Sequence, residues 1–230
     1  MSSFMKSSIG KKFFMSVTGL FLITFICVHL SLNLLLIVDD SGDLFNMAAH
    51  FMATNPLIKI MEPVLALGFL VHIIWSFVIT LENKKARPVT YNSGDKVLSP
   101  IAPSKNMLIL GGMVLVFLVM HIANFWWKFK ISHEGLTAVH VMQAGVNVEM
   151  ENAYALVAGF FKASSLYCII YMVGAVLLGL HISHGFWSAF QTIGWNNKIW
   201  LKRLEVIARI FAWLIALGFA IIPLYFMIKF

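Results

Sequence analysis

The chain has 230 residues, 60% of them hydrophobic and only 12% charged, with a formal net charge of +7. A soluble domain carries about 25% charged residues, so an ordinary water-soluble enzyme is excluded. The basic residues lie in short clusters beside apolar runs, so they do not form a face that would track nucleic acid. The two cysteines, Cys27 and Cys168, stand alone inside apolar runs, which gives no support to a zinc ribbon or to covalent c-type haem attachment.

Five runs reach the roughly 20 apolar residues that a bilayer-crossing helix needs. They cover about 13–38, 56–81, 106–127, 163–190 and 206–228. They are continuous and do not alternate, so strands are disfavoured. These runs predict an all-α fold, an integral membrane bundle of five transmembrane helices forming a single domain over residues 1–230.

The first run follows the basic segment MSSFMKSSIGKKFF. It is too long for a signal-peptide core and lacks a small-residue cleavage site, so a retained helix is expected. It carries His29 in CVHLSLN, with Asn33 one turn on; His50 lies in the connection that follows. The second run has Glu62 and Pro63 in its first turns and His72 in LVHIIW. The third carries Gly111, Gly112 and His121, with Asn124 three residues later, and closes on Trp126 and Trp127. The connection 128–162 is moderately polar, and a short interfacial helix is expected in it. His133, Glu134 and His140 in that connection match no standard metal-site spacing and read as solvated loop residues. The fourth run contains LGLHISHGFW, with His181 and His184 three residues apart and Gly174, Gly179 and Gly185 nearby. The fifth has no histidine; Arg209, early in it, is a candidate for a haem propionate contact or for snorkelling to the interface.

Lysine and arginine set the expected orientation. One side receives Lys6, Lys11, Lys12, Lys84, Lys85, Arg87, Lys96, Lys105, Lys198, Lys202 and Arg203, with only Glu82, Asp95 and Glu205 as acids. The other receives Lys59, Lys128, Lys130, Lys162 and Lys229, together with Asp39, Asp40, Asp43, Glu134, Glu149 and Glu151. Positive charge stays inside, which predicts a cytoplasmic N-terminus.

An imidazole in an apolar helix is costly unless something satisfies it. A single membrane histidine is commonly an interhelical hydrogen bond. Here each of the first four helices carries one, in VHL, VHI, MHI and LHI. Distances to the helix ends place His29 and His121 in the outer half and His72 and His181 in the inner half. At 1.5 Å per residue the two levels differ by roughly 10–15 Å. Two facing imidazoles on neighbouring helices are what a b-type haem requires, so two such haems are expected: an outer one on His29 and His121 and an inner one on His72 and His181. His184 lies roughly 60° round the helix from His181, where it could replace that ligand, contact an inner propionate or reach the interface.

With CVHLSLN, LVHIIW, MHIANFWWKF and LHISHGFWSAFQTIGW in this order, the chain resembles the dihaem cytochrome b membrane anchor of succinate:quinone oxidoreductases, the succinate dehydrogenase/fumarate reductase cytochrome b subunit. The likeness covers essentially the whole chain. His181, followed by Gly185 and Trp187, matches that family's ligand on the fourth helix, which favours His181 over His184. The resemblance implies a bacterial cytoplasmic membrane subunit carrying electrons between the quinone pool, menaquinone for dihaem anchors, and an iron–sulfur subunit and flavoprotein subunit on the cytoplasmic face. The succinate site would lie in those partners, since this chain has neither a dinucleotide-binding glycine motif nor enough cysteines for clusters.

A quinone site needs an apolar slot, polar partners for the carbonyls and a group that exchanges protons. Glu62 is the first candidate, against the alternative of an interfacial acid favoured by a helix N-terminus. Asn33 and His50 are further candidates in the quinone vicinity. Two other functions stay in view: the cytochrome b subunit of another quinone-linked dehydrogenase, and a haem-free, histidine-dependent transporter. A transporter would be expected to show broken helices or mid-membrane carboxylates, which this sequence does not clearly show.

Overall fold

A computed structural model describes residues 7–85, 107–195 and 197–230, without the side chains of Ser8 and Lys198. The topology-setting Lys6, Arg87, Asp95, Lys96 and Lys105 lie outside the described residues. The described residues are all-α apart from one hairpin, and five of their helices are long and apolar enough to cross a membrane.

The first span is α1 (Ser8–Asn33) continued by α2 (Leu35–Val38). Ser7 starts it by accepting a hydrogen bond from the Gly10 amide at 3.0 Å. A short helix, α3 (Asp43–Thr54), then folds back along the membrane end. Asp39 organises its start, accepting from the amides of Ser41 at 3.1 Å and Leu44 at 3.0 Å. The Leu44 amide, and after it the Ser41 hydroxyl, hold the Asp39 carboxyl below the usual carboxylate range.

The second span, α4 (Pro56–Lys85), opens with proline at its first position, where no amide is needed, and is capped by Asn55. The third is α5 (Met107–His121), extended through two π-helical turns, Ile122–Trp126 and Lys128–Ser132. Strands β1 (Ala138–Gln143) and β2 (Val146–Glu151) pair antiparallel, with Val141 opposite Val148. Their turn places Ala144 and Gly145 at φ 50° and 81°, the pair of positive φ values that a two-residue turn matched to strand twist demands. Helix α6 (Ala153–Ala163) is a short helix where one was expected in this connection; the hairpin and α3 were not expected from the sequence. The fourth span is α7 (Ser165–Thr192) and the fifth α8 (Lys198–Lys229). The fifth begins earlier than its apolar run because Asn197 caps it, accepting from Ile199 and Trp200.

The spans alternate in direction. Lys11 pairs with Glu82 at the N-terminal face, tying the first span to the second. At the opposite, hairpin face, Tyr225 and Lys229 of α8 both donate to Asp40, and Lys229 above all lowers the Asp40 carboxyl from its ordinary value. There the buried Asn46 joins α3 to α6, accepting from the Tyr154 amide at 2.8 Å and donating to Asn152 at 3.3 Å.

The densest packing lies at the hairpin face, where Leu36, Phe45, Phe125, Phe161, Cys168, Tyr171 and Phe226 form one cluster. A second cluster, Ile182, Ala212 and Ile215, seals α7 against α8. Away from these, Leu67, Leu70 and Ile74 on α4 and Ile109, Val116 and Val119 on α5 are more than half exposed. Such an apolar sleeve is what a bilayer covers, and the protein is a multi-pass membrane protein.

Helices α7 and α8 approach closely at Gly179. A Cβ there would stand 2.7 Å from the Ala216 Cβ and 3.0 Å from the Ala212 carbonyl oxygen. Gly179→Leu is therefore expected to force the pair apart and cost about 1–3 kcal/mol, seen as a lowered thermal unfolding midpoint in detergent.

Candidate functional site: two histidine pairs

The structure brings His29 of the first span to His121 of the third, with ring centroids 5.7 Å apart and planes at 89°. It brings His72 of the second span to His181 of the fourth, with centroids 6.3 Å apart and planes at 74°. A metal-bound imidazole nitrogen sits about 2 Å from the ion and about 1 Å from its own ring centroid, so two imidazoles sharing one ion have centroids about 6 Å apart. Both pairs meet that spacing. Among the described residues no group of three or more His, Cys, Asp or Glu side chains converges, so the donor sets are imidazole pairs and not zinc-type clusters.

The levels of the pairs follow from two glycines. A Cβ on Gly19 would lie 3.5 Å from His72 Cε1, and one on Gly111 would lie 3.5 Å from His181 Cε1. Gly19 precedes His29 on α1 by ten residues, and Gly111 precedes His121 on α5 by the same number. Ten residues of helix rise about 15 Å, which separates the two pairs along the bundle. The His72–His181 pair is nearer the N-terminal face and the His29–His121 pair nearer the hairpin face.

The pairs differ in surroundings. His29 is stacked on Phe25 (5.2 Å between centroids, 23°) and approached by Phe219 at 5.8 Å. His121 is stacked on Phe117 (6.0 Å, 24°) and meets Phe125 at 5.5 Å and Tyr171 at 6.0 Å. Gly174 makes room for Phe117, since a Cβ there would fall 2.3 Å from its ring. Beside His72 lie Gly19 and the Thr18 hydroxyl, whose oxygen is 3.4 Å from His72 Nδ1. The Nδ1 atoms of His121 and His181 are buried and, among the described residues, have no hydrogen-bond partner. A buried imidazole needs a role for both nitrogens, and a metal takes one of them.

The first and third spans share a spacing: Thr18–Gly19, five residues, Phe25, three residues, His29; and Leu110–Gly111, five residues, Phe117, three residues, His121. The glycine of each faces the histidine of the following span, and the phenylalanine stacks on its own span's histidine. This repeat was the available signal for Gly19, Phe25 and Phe117, none of which the histidine depths single out; Thr18, whose counterpart is Leu110, lies outside it. Nothing in the sequence marks Tyr171.

The other candidates lie as follows. His184 packs edge-on to Trp187 of its own helix, with centroids 4.9 Å apart, while His181 takes the place opposite His72. Arg209 is exposed, and its guanidinium reaches the carbonyl and carboxylate of Glu205 one turn back. Asn33 donates to the His29 carbonyl at 2.8 Å, and Asn124 donates to the Tyr171 hydroxyl at 3.1 Å. His50 is half-buried on α3. His133 meets Glu151 at 3.0 Å, and His140 stands opposite Glu149 in the hairpin.

Glu62 accepts from the Trp126 indole at 2.8 Å and from Lys130 at 2.9 Å, joining the second span to the third at the hairpin face. The π-turns that follow His121 set this up. They widen the helix just after His121, so Asn124 points toward Tyr171 while Trp126 and Lys130 reach Glu62. A cleft of about 340 Å³ opens beside the same segment, lined by Asn124, Lys128, Leu156, Gly159 and Phe160.

No protein-family model, curated protein or solved structure matches this chain.

Proposed function

We propose that the chain is the dihaem cytochrome b membrane anchor of a succinate:quinone oxidoreductase, carrying electrons between quinone, menaquinone in this reading, and an iron–sulfur and flavoprotein pair on the cytoplasmic face of a bacterial membrane. The carrying observation is the meeting of four imidazoles in two pairs, 5.7 and 6.3 Å apart, at two depths of one bundle. His29 with His121, and His72 with His181, would each hold one haem b iron. The glycines beside His72 and His181 and the unpartnered buried ring nitrogens of His121 and His181 fit that role. When bound, the two haems supply a pair of one-electron carriers stacked across the membrane.

The chain's own residues do the rest. The aromatic shell around His29 and His121 excludes water and fixes the ring planes. Glu62, with Trp126 and Lys130, offers a proton-exchanging carboxylate and two donors at the hairpin face, where quinol would bind. Lys11, Lys12, Lys84, Lys85, Lys202 and Arg203 lie toward the opposite face, which supports reading that face as cytoplasmic and as the one where the soluble partners would dock.

Purified protein is expected to show a dithionite-reduced α-band and two haems per chain by pyridine haemochrome. The native complex is expected to bring flavin and iron–sulfur subunits with it. A colourless, folded chain would overturn this function and leave a transporter or a tether.

A further inference from the structure

Among the described residues, His72 is the ligand candidate whose ring nitrogen meets a hydroxyl. Thr18 Oγ1 lies 3.4 Å from His72 Nδ1 and 2.8 Å from the Phe14 carbonyl oxygen, with the Met15 carbonyl at 3.1 Å. A threonine hydroxyl has a single proton to give. With that proton given to the Phe14 carbonyl, the shorter of its contacts, the oxygen faces His72 as an acceptor. An accepting neighbour requires the proton of a neutral His72 ring to be on Nδ1, which leaves Nε2 with a free lone pair. The side chain of Thr18 thereby selects the tautomer that a metal needs, as ligand-orienting neighbours do in metal sites generally.

The repeat between the first and third spans makes the interaction one-sided. A Cβ on Gly19 would lie as close to His72 Cε1 as one on Gly111 would to His181 Cε1, 3.5 Å in each case. Yet the residue before Gly111 is Leu110, which has no hydroxyl, and His181 Nδ1 is buried without a partner among the described residues. One inner ligand is oriented by a hydrogen bond and the other by packing alone.

We propose that Thr18 is a positioning residue for His72: its hydroxyl accepts the Nδ1 proton, presents Nε2 to the iron and raises the ligand's electron donation. This rests on the reading of His72 as an iron ligand. A more donating imidazole favours the oxidised iron, so the hydroxyl holds the potential of the inner centre down.

The test compares Thr18→Val, which keeps shape and removes the hydroxyl, with Thr18→Ser, which keeps the hydroxyl. Potentiometric titration of the α-band on the full chain is the readout, with His72→Ala identifying the inner centre. Thr18→Val is expected to raise the midpoint potential of that centre alone, by about tenfold in its oxidised-to-reduced ratio, about 59 mV for one electron; Thr18→Ser is expected to restore it. Loss of the inner haem in Thr18→Val with recovery in Thr18→Ser supports the same role. An unmoved potential in Thr18→Val, or Thr18→Ser behaving like Thr18→Val, overturns it.

Nitrogen-15 spectra of the histidine rings, on reduced or haem-free protein, read the tautomer directly. Nδ1 protonation of His72 is expected in wild type and Thr18→Ser and its loss in Thr18→Val. If wild type purifies without haem, the proposed function fails, and these spectra still decide on Thr18.

Discussion

His181→Ala and His72→Ala are each expected to leave one haem per chain instead of two, and both should remove the same spectral component. His29→Ala and His121→Ala should each remove the other component. The pairing rests on ring separations of 6.3 and 5.7 Å between helices far apart in sequence. Losing one imidazole of a pair would remove one of the two nitrogens proposed to hold that iron, and the ring of His184 is held against Trp187 instead of standing ready to replace it. His184→Ala is accordingly expected to keep both haems. Pyridine haemochrome with low-temperature reduced spectra resolves the outcomes. Loss of the inner component in His184→Ala but not in His181→Ala would reverse the ligand assignment.

Glu62→Gln is expected to lower quinol-linked electron transfer by about 10²-fold, the low end for removing a proton-exchanging group, with both haems retained. Glutamine is close in shape and keeps an oxygen to accept from Trp126 or Lys130, so the interhelical contact changes little while the titratable carboxyl is lost. The ion pair itself is about one-third exposed on both sides, and pairs of that kind contribute about 1 kcal/mol or less. A stability effect alone would therefore be small. Unchanged turnover with dithionite-reducible haems in Glu62→Gln would restrict Glu62 to joining the second and third spans.

The spans were legible because hydropathy over roughly 20 residues is a bulk property that tertiary context does not override. The depth of each histidine was legible for a related reason: along a helix, sequence distance from a charged end converts directly into height. Rotation about the helix axis was not legible in that way. Whether His181 or His184 faces His72 depends on packing against α1 and α8, and the three-residue step between them is small. Three further features escaped. Helix α3 depends on the Asp39 and Ser41 contacts and not on an apolar run. The hairpin turns on Ala144 and Gly145 at positive φ, a weak two-residue signal. The π-turns after His121 have no composition signature at all. Arg209 illustrates a different limit: its place near a helix start was plain, but the Glu205 carbonyl and carboxylate one turn back engage the guanidinium at the surface.

Each histidine pair takes one member from the first two spans and one from the third and fourth. During synthesis the first hairpin of spans therefore enters the bilayer holding two solitary imidazoles and no complete pocket. The pair nearer the hairpin face closes when His121 arrives, and the pair nearer the N-terminal face closes only with His181, some sixty residues later. If the pairs hold haem as proposed, cofactor capture would be ordered by translation, and a chain truncated after its second span would lack a complete pair for either group.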